Sequence, residues 1–288
     1  MKRSLPQRGD LVGWLLASPL TAVLVLFLVA PIVMIVTVSF WRATEFSIIP
    51  AFVLENYEFL FGSPVTYKVF LNTFLYAAIT WACTLVIGFT VAYFLAFHVR
   101  TETWRIALFL LCTIPFWTSN IIRMISWIPF LGRNGIANSA LMSWGVVEEP
   151  VEWLLFSDFA VILAFVHLYT LFMVVPIFNS MMRIDRSLLE AARDAGASDW
   201  RALWEVIVPL TKPGVMIGTI FVVTLVMGDF ITVRFMSGSQ SANVGRLISN
   251  DIALLQYPSA AATAVVLLAT VLIVIGVLLR LVDIRKEL

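Results

Sequence analysis

The sequence predicts an all-α polytopic membrane protein with six transmembrane helices, and three observations lead there. Of 288 residues, 61% are hydrophobic and 13% are charged. No soluble domain hides that much apolar surface, so lipid is the solvent for most of it. Six apolar runs reach the length of roughly 20 residues that a helix needs to cross a bilayer core. None shows the alternation of a barrel strand, and only helices or closed barrels satisfy their backbone in lipid.

The six runs are placed at Val12–Phe40, Phe70–Phe97, Ile106–Phe130, Leu155–Met182, Leu203–Met236 and Ala260–Leu281. The first is too long for the apolar part of a signal peptide and lacks a small-residue cleavage site, so it is retained as a span. The chain divides into an N-terminal part, 1–69 (tail, first span and external loop), and a transmembrane core, 70–284.

Basic residues orient the spans. Lys2, Arg3, Arg8, Arg100, Arg105, Arg183, Arg186, Arg193, Arg201, Arg280, Arg285 and Lys286 fall on one side, and Arg42, Lys68, Arg133, Arg234 and Arg246 on the other. The richer side is cytoplasmic and holds both termini. The opposite loops carry Glu45, Glu55, Glu58, Glu148, Glu149 and Glu152, and Trp41, Trp104 and Trp153 flank spans as interfacial aromatics do. The near-zero net charge gives no sign of nucleic acid, which is not among the expected partners.

Within the runs, Pro115 and Pro129 are expected to interrupt the third span, and Gly132-Arg133-Asn134-Gly135 and Gly62-Ser63-Pro64 are turns. Asn72-Thr73 is read as opening the second span. Cys83 and Cys112 lie inside apolar runs and are read as buried small side chains, neither a disulfide nor a metal pair. His98 sits at a helix end, and His167 is expected to hydrogen-bond a neighbouring helix. Asp229 is the acid at depth, where insertion costs at least about 2.5–3.5 kcal/mol unless it faces a cavity or a partner. It either pairs with Arg234 or Arg123 to fix packing, or lines a substrate path.

Between the fourth and fifth runs lies a polar stretch, SLLEAARDAGASDWRALWEVIVP, from Ser187 to Pro209. Ser187 followed by Glu190 has the spacing of a capping box. A short helix then ends at Gly196, which tolerates a left-handed C-cap, and Ser198 or Asp199 restarts a helix entering the membrane. The spacing Glu190-Ala191-Ala192, three residues, Gly196, nine residues, Val206-Ile207-Val208-Pro209 resembles the EAA loop of ABC-importer permeases. Val206 and Val208 depart mildly from the usual Ile and Leu. The resemblance implies a type I ABC-importer permease fold. It makes 187–200 the coupling helix that docks into a cytoplasmic ATPase, with Glu190, Ala191, Ala192, Arg193, Asp194 and Gly196 as the coupling residues.

The segments Pro115–Met142 and Gly228–Ile248 are similar to the spermidine/putrescine branch of that family, which shares the Pro-Phe-Trp segment, an arginine like Arg123 and an acid late in the fifth span. This resemblance implies a path for a small cationic solute through Asp229, Arg123 and Trp127. Permeases for opines, thiamine, phosphonates and ferric ion share the architecture and remain alternatives. No phosphate-cradling Gly-Lys-Ser/Thr loop occurs, so this chain is expected to hold no cofactor and to hydrolyse nothing. ATP-Mg is expected on two copies of a partner ATPase, beside a second, homologous permease and an extracytoplasmic substrate-binding protein. The expected location is a bacterial inner membrane. A secondary transporter would instead show symmetric broken halves and paired intramembrane acids. A membrane enzyme would need a nucleophile–base set, which is not seen.

Overall fold

A computed structural model of the chain describes residues 8–44 and 47–281, with side chains from 16 to 280. Lys2, Arg3, Glu45, Arg285 and Lys286, used above for orientation, lie outside the described residues, as does the side chain of Arg8. The chain is helical almost throughout. The first span joins α1 (Arg8–Leu24) through a π-turn (Val25–Val29) to α2 (Ala30–Val38). A two-stranded hairpin, β1 (Arg42–Ala43) with β2 (Ile48–Ile49), and α3 (Glu55–Gly62) follow. Tyr57 Oη and Ser39 Oγ lie 2.7 Å apart, which ties α3 to the end of the first span.

Three helices form the centre: α4 (Pro64–Tyr93), α8 (Asp158–Met182) and α12 (Lys212–Gly228). Each packs on both others. Pro64 starts α4 at a position where its missing N–H would have had no helical partner. Ser157 caps α8 by accepting the Ala160 N–H at 3.2 Å. α8 is the hub, with half of its apolar window buried inside the chain; for the first span that share is zero, leaving its side chains to lipid or to another subunit.

Contact at the hub depends on glycine. A Cβ on Gly214 of α12 would sit 2.4 Å from the Pro176 carbonyl oxygen and 2.5 Å from Ser180 Oγ, both on α8. A Cβ on Gly218 would sit 2.6 Å from Met173 Sδ, and one on Gly88 of α4 2.8 Å from Met173 Cγ. Gly214 and Gly218 are thus a small-xxx-small pair that lets two backbones approach in an apolar medium, where dispersion and not water release holds helices together. Trp81 Nε1 of α4 donates to Thr219 Oγ1 of α12 at 2.9 Å and fixes their register.

The third and fifth spans are not single helices. α5 (Glu102–Thr113) passes through a 3-10 turn (Ile114–Trp117) and bends by 88° into α6 (Asn120–Leu131) and α7 (Ile136–Ser143). At the start of the fifth span, α10 (Asp199–Ala202), a π-turn (Leu203–Ile207) and α11 (Val208–Leu210) meet α12 at 64°. α12 then stops, and α13 (Ile231–Met236) follows after a break. α14 (Val244–Ala253) leads into the last span, α15 (Tyr257–Leu281). Among the described residues four helices are long and apolar enough to cross a membrane alone, and the two bent pairs raise the number to six where each is one span.

Several expectations need correction. Pro115 lies in the interruption, but α6 continues two residues past Pro129 and loses only the bond that Pro129 cannot donate to the Ile125 carbonyl. Asn72-Thr73 sits inside α4, not at its opening. There Thr73 Oγ1 accepts the Val244 N–H at 3.0 Å and anchors the start of α14. Cys83 and Cys112 are free, but Cys83 is exposed on the outer side of α4, because an apolar run in lipid does not have to face a core.

Candidate functional site

The element expected to couple is α9 (Arg186–Asp194) and the turn into α10. The expected capping box does not form. Asp185 is the cap, its carboxylate accepting the Ser187 N–H at 2.9 Å, so the helix begins two residues earlier and Glu190 makes no hydrogen bond among the described residues. Those bonds hold the Asp185 carboxyl below its ordinary value. Its capping contribution is therefore complete at neutral pH and lost only as pH falls through that depressed value.

The other end is as expected. Gly196 has φ +83°; its N–H donates to Arg193 O at 2.8 Å and the Ala197 N–H to Ala192 O at 2.9 Å, the paired bonds of a Schellman cap. Ser198 caps α10 through the Arg201 N–H at 3.3 Å. Arg193 spans the turn to Asp199 at 3.1 Å. Glu190, Ala191, Arg193, Asp194 and Gly196 are exposed and Ala192 is half-buried, so the element presents a rigid face outward. Behind it, a groove of about 410 Å³ is lined by His98, Arg100, Arg186, Glu190 and Arg193.

The second locus is the break between α12 and α13. Asp229 lies in it, half-buried. Its Oδ2 accepts from Tyr169 Oη at 2.6 Å and Thr232 Oγ1 at 2.5 Å, and its Oδ1 from the Thr232 N–H at 2.9 Å. Asn243 Nδ2 donates to the Asp229 carbonyl at 2.8 Å. The expected ion pair with Arg123 or Arg234 does not form: neither arginine is within 4.0 Å, and Arg234 points outward. All donors to the Asp229 carboxylate are neutral, so nothing among the described residues cancels a negative charge on it.

Arg123 and Trp127 come together on α6. They line a cavity of about 370 Å³ with His167, Phe116 and apolar residues of α4 and α8. Trp127 Nε1 donates to His167 Nδ1 at 3.0 Å, the interhelical bond expected of that histidine. Asp229 is not on this cavity; Tyr169, buried on α8, stands between. Tyr169 and Asn243 are not among the residues read from the sequence, whereas Thr232 follows Asp229 closely in it. The polar run His167-Leu168-Tyr169-Thr170 in mid-span was the available signal for the first, while Asn243 meets Asp229 only through the folded loop. Asn138 is also fully buried, holding the Gly132 turn to Val151 through three hydrogen bonds.

Comparison with known proteins agrees with this architecture. The spermidine/putrescine transport system permease protein PotB of Escherichia coli K12 is 34% identical over 271 residues, spanning 93% of this chain and 92% of that protein. Its counterpart in Salmonella typhimurium SL1344 is also 34% identical, over 93% of this chain and 88% of its own length. A crystal structure of a bacterial ABC transporter that imports the acidic polysaccharide alginate superposes with TM-score 0.78 at 16% identity, covering 95% of this chain and 96% of that one; at that identity it speaks for the fold alone. The model of the binding-protein-dependent transport system inner membrane component matches residues 86–287, and the chain belongs to that family.

Proposed function

We propose that this chain is one permease half of an ATP-driven importer in a bacterial inner membrane, and that its solute is a polyamine of the spermidine/putrescine class. One observation carries the cation: Asp229 sits where a span is broken, held by neutral donors only. Non-helical backbone at membrane depth is tolerated where it is buried in protein or lines a wet cavity, and we assign the break at Asp229 to the second kind, on the solute path. The 34% identity to polyamine permeases points the same way. Asp229 attracts the cation, and Arg123 and Trp127 shape the wall beyond Tyr169.

The partners are a second, homologous permease, two copies of a cytoplasmic ATPase carrying ATP-Mg, and an extracytoplasmic binding protein. ATP binding moves the α9 elements of the two permeases together and rocks the spans as rigid bodies. The test is uptake of labelled spermidine and putrescine into cells lacking their own polyamine importers and supplied with the whole complex. Uptake that rises above background and vanishes when the ATPase is inactivated is expected. Uptake of thiamine or a phosphonate in its place would reassign the solute.

Two further results are expected. Gly196→Val has open space for its side chain and pays only for the φ of +83°, about 1 kcal/mol or more. The variant should insert normally and lose several-fold in substrate-stimulated ATP hydrolysis; normal stimulation would show that another loop does the coupling. For topology, with both termini cytoplasmic, an impermeant thiol reagent added to sealed cells should modify cysteines introduced at 47–60 and 138–152 and spare Asp199→Cys. Modification of Asp199→Cys would invert the orientation.

A further inference from the structure

The bend in the third span leaves an unanswered charge. Arg123 is 8% exposed. Its Nη2 donates to Asn120 Oδ1, its guanidinium lies 5.8 Å from the Phe116 ring centre, and its buried Nε has no partner. No described acid is within ion-pair distance. Arg123 also lies in the first turn of α6, where Ser119 provides no side-chain cap. The open N–H groups of that turn add the positive end of a helix dipole. Thr118, Ser119 and Asn120, which form the break itself, are exposed.

Ring contacts fix the depth. Phe116 packs on Phe172 at 4.9 Å and Trp127 on His167 at 5.7 Å. His167 and Phe172 lie nine and fourteen residues along α8 from Asp158, so this site is roughly 14–21 Å below the outer end of that helix, near the bilayer centre. Lipid tails cannot satisfy an exposed helix break there, and headgroups lie too far away. Water would serve the backbone but would not balance an arginine, and a polyamine would be repelled. Asp229 does not answer the arginine, because its oxygens are taken by Tyr169 and Thr232.

We propose that the start of α6, with Arg123, is a docking site for the carboxylate of an Asp or Glu on the second permease, delivered at mid-membrane depth through the mouth of the Arg123–Trp127–His167 cavity. This rests on the reading that a second permease completes the path. The contact closes the helix break against protein and neutralises a buried guanidinium that would otherwise oppose a passing cation.

The test uses the complete complex. A photo-crosslinking benzoylphenylalanine placed at Trp117, which is 86% exposed, should attach to the second permease, in a transmembrane peptide that contains an Asp or Glu. Arg123→Glu should cut transport at least tenfold and weaken that cross-link. Replacing the mapped acid by arginine should restore both, and Arg123→Lys, which keeps the charge, should fold and retain most transport. Adducts on lipid or on this chain alone, wild-type transport by Arg123→Glu, or a charge swap that fails to rescue an assembled complex would each overturn the proposal. The cross-link is read without substrate. Failure of polyamine uptake by the intact complex would therefore reject the solute assignment and leave this contact standing, and failure of a second permease to co-purify would reject the pairing itself.

Discussion

Gly214→Val will leave little or no assembled permease in the membrane. The new Cβ would stand 2.4 Å from the Pro176 carbonyl oxygen and 2.9 Å from its carbon, both backbone atoms that no rotamer change can move. α12 must then withdraw from α8 along the length where Gly218 also touches Met173, and the Trp81–Thr219 bond is pulled with it. Overpacking of this kind costs typically about 1–3 kcal/mol when the site can adjust; here it cannot, and dispersion falls off within a fraction of an ångström. Gly88→Ala is the graded control. Its nearest obstacle is Met173 Cγ at 2.8 Å, the flexible thioether chain, so it should assemble with a modest loss of thermal stability. Detergent-extracted yield and thermal aggregation of the complex check both. Wild-type yield of Gly214→Val would mean that α8 and α12 do not pack this closely in the assembly.

The parts of this structure visible in the sequence are the ones set by local chemistry. Apolar run length gave six spans, because the bilayer imposes it residue by residue. The Gly196 turn was legible, since only glycine takes that φ freely and its place after a short amphipathic helix is fixed by the chain itself. The cap at the other end lies two residues earlier than the sequence suggests: Asp185 and Ser187 are both competent caps, and the choice depends on where α8 ends. The break in the third span was legible at Pro115, which removes a backbone donor, but the size of the bend was not, because hydropathy averages over Thr118-Ser119-Asn120. The bonds that hold Asp229, from Tyr169 on α8 and Asn243 beyond the next helix, join residues 60 and 14 positions away and carry no local signature. The Gly214–Gly218 spacing stood in plain view, but its partner face, Pro176 and Met173 on α8, appears only on packing.

Asp229→Asn separates the two functions that this residue combines. The carboxylate both holds the break, through the Thr232 N–H, Thr232 Oγ1 and Tyr169 Oη, and supplies negative charge to it. The amide keeps its Oδ1 as acceptor for the Thr232 N–H, and the two hydroxyls can rotate to accept from Nδ2. The substitution thus exchanges charged for neutral hydrogen bonds, a change of about 1–2 kcal/mol, and the complex should assemble and hydrolyse ATP. If the charge guides the solute, polyamine uptake should fall at least tenfold, which corresponds to about 1.4 kcal/mol of cation attraction. Tyr169→Phe removes one donor but leaves the charge, so it should cost stability and spare most uptake. Asp229→Ala removes both cap and charge and should lose assembly as well. Full polyamine uptake by Asp229→Asn would reduce Asp229 to a cap for α13 and take the cation selection away from this break. That outcome would leave the fold and the coupling element untouched, because neither depends on a charge at this position.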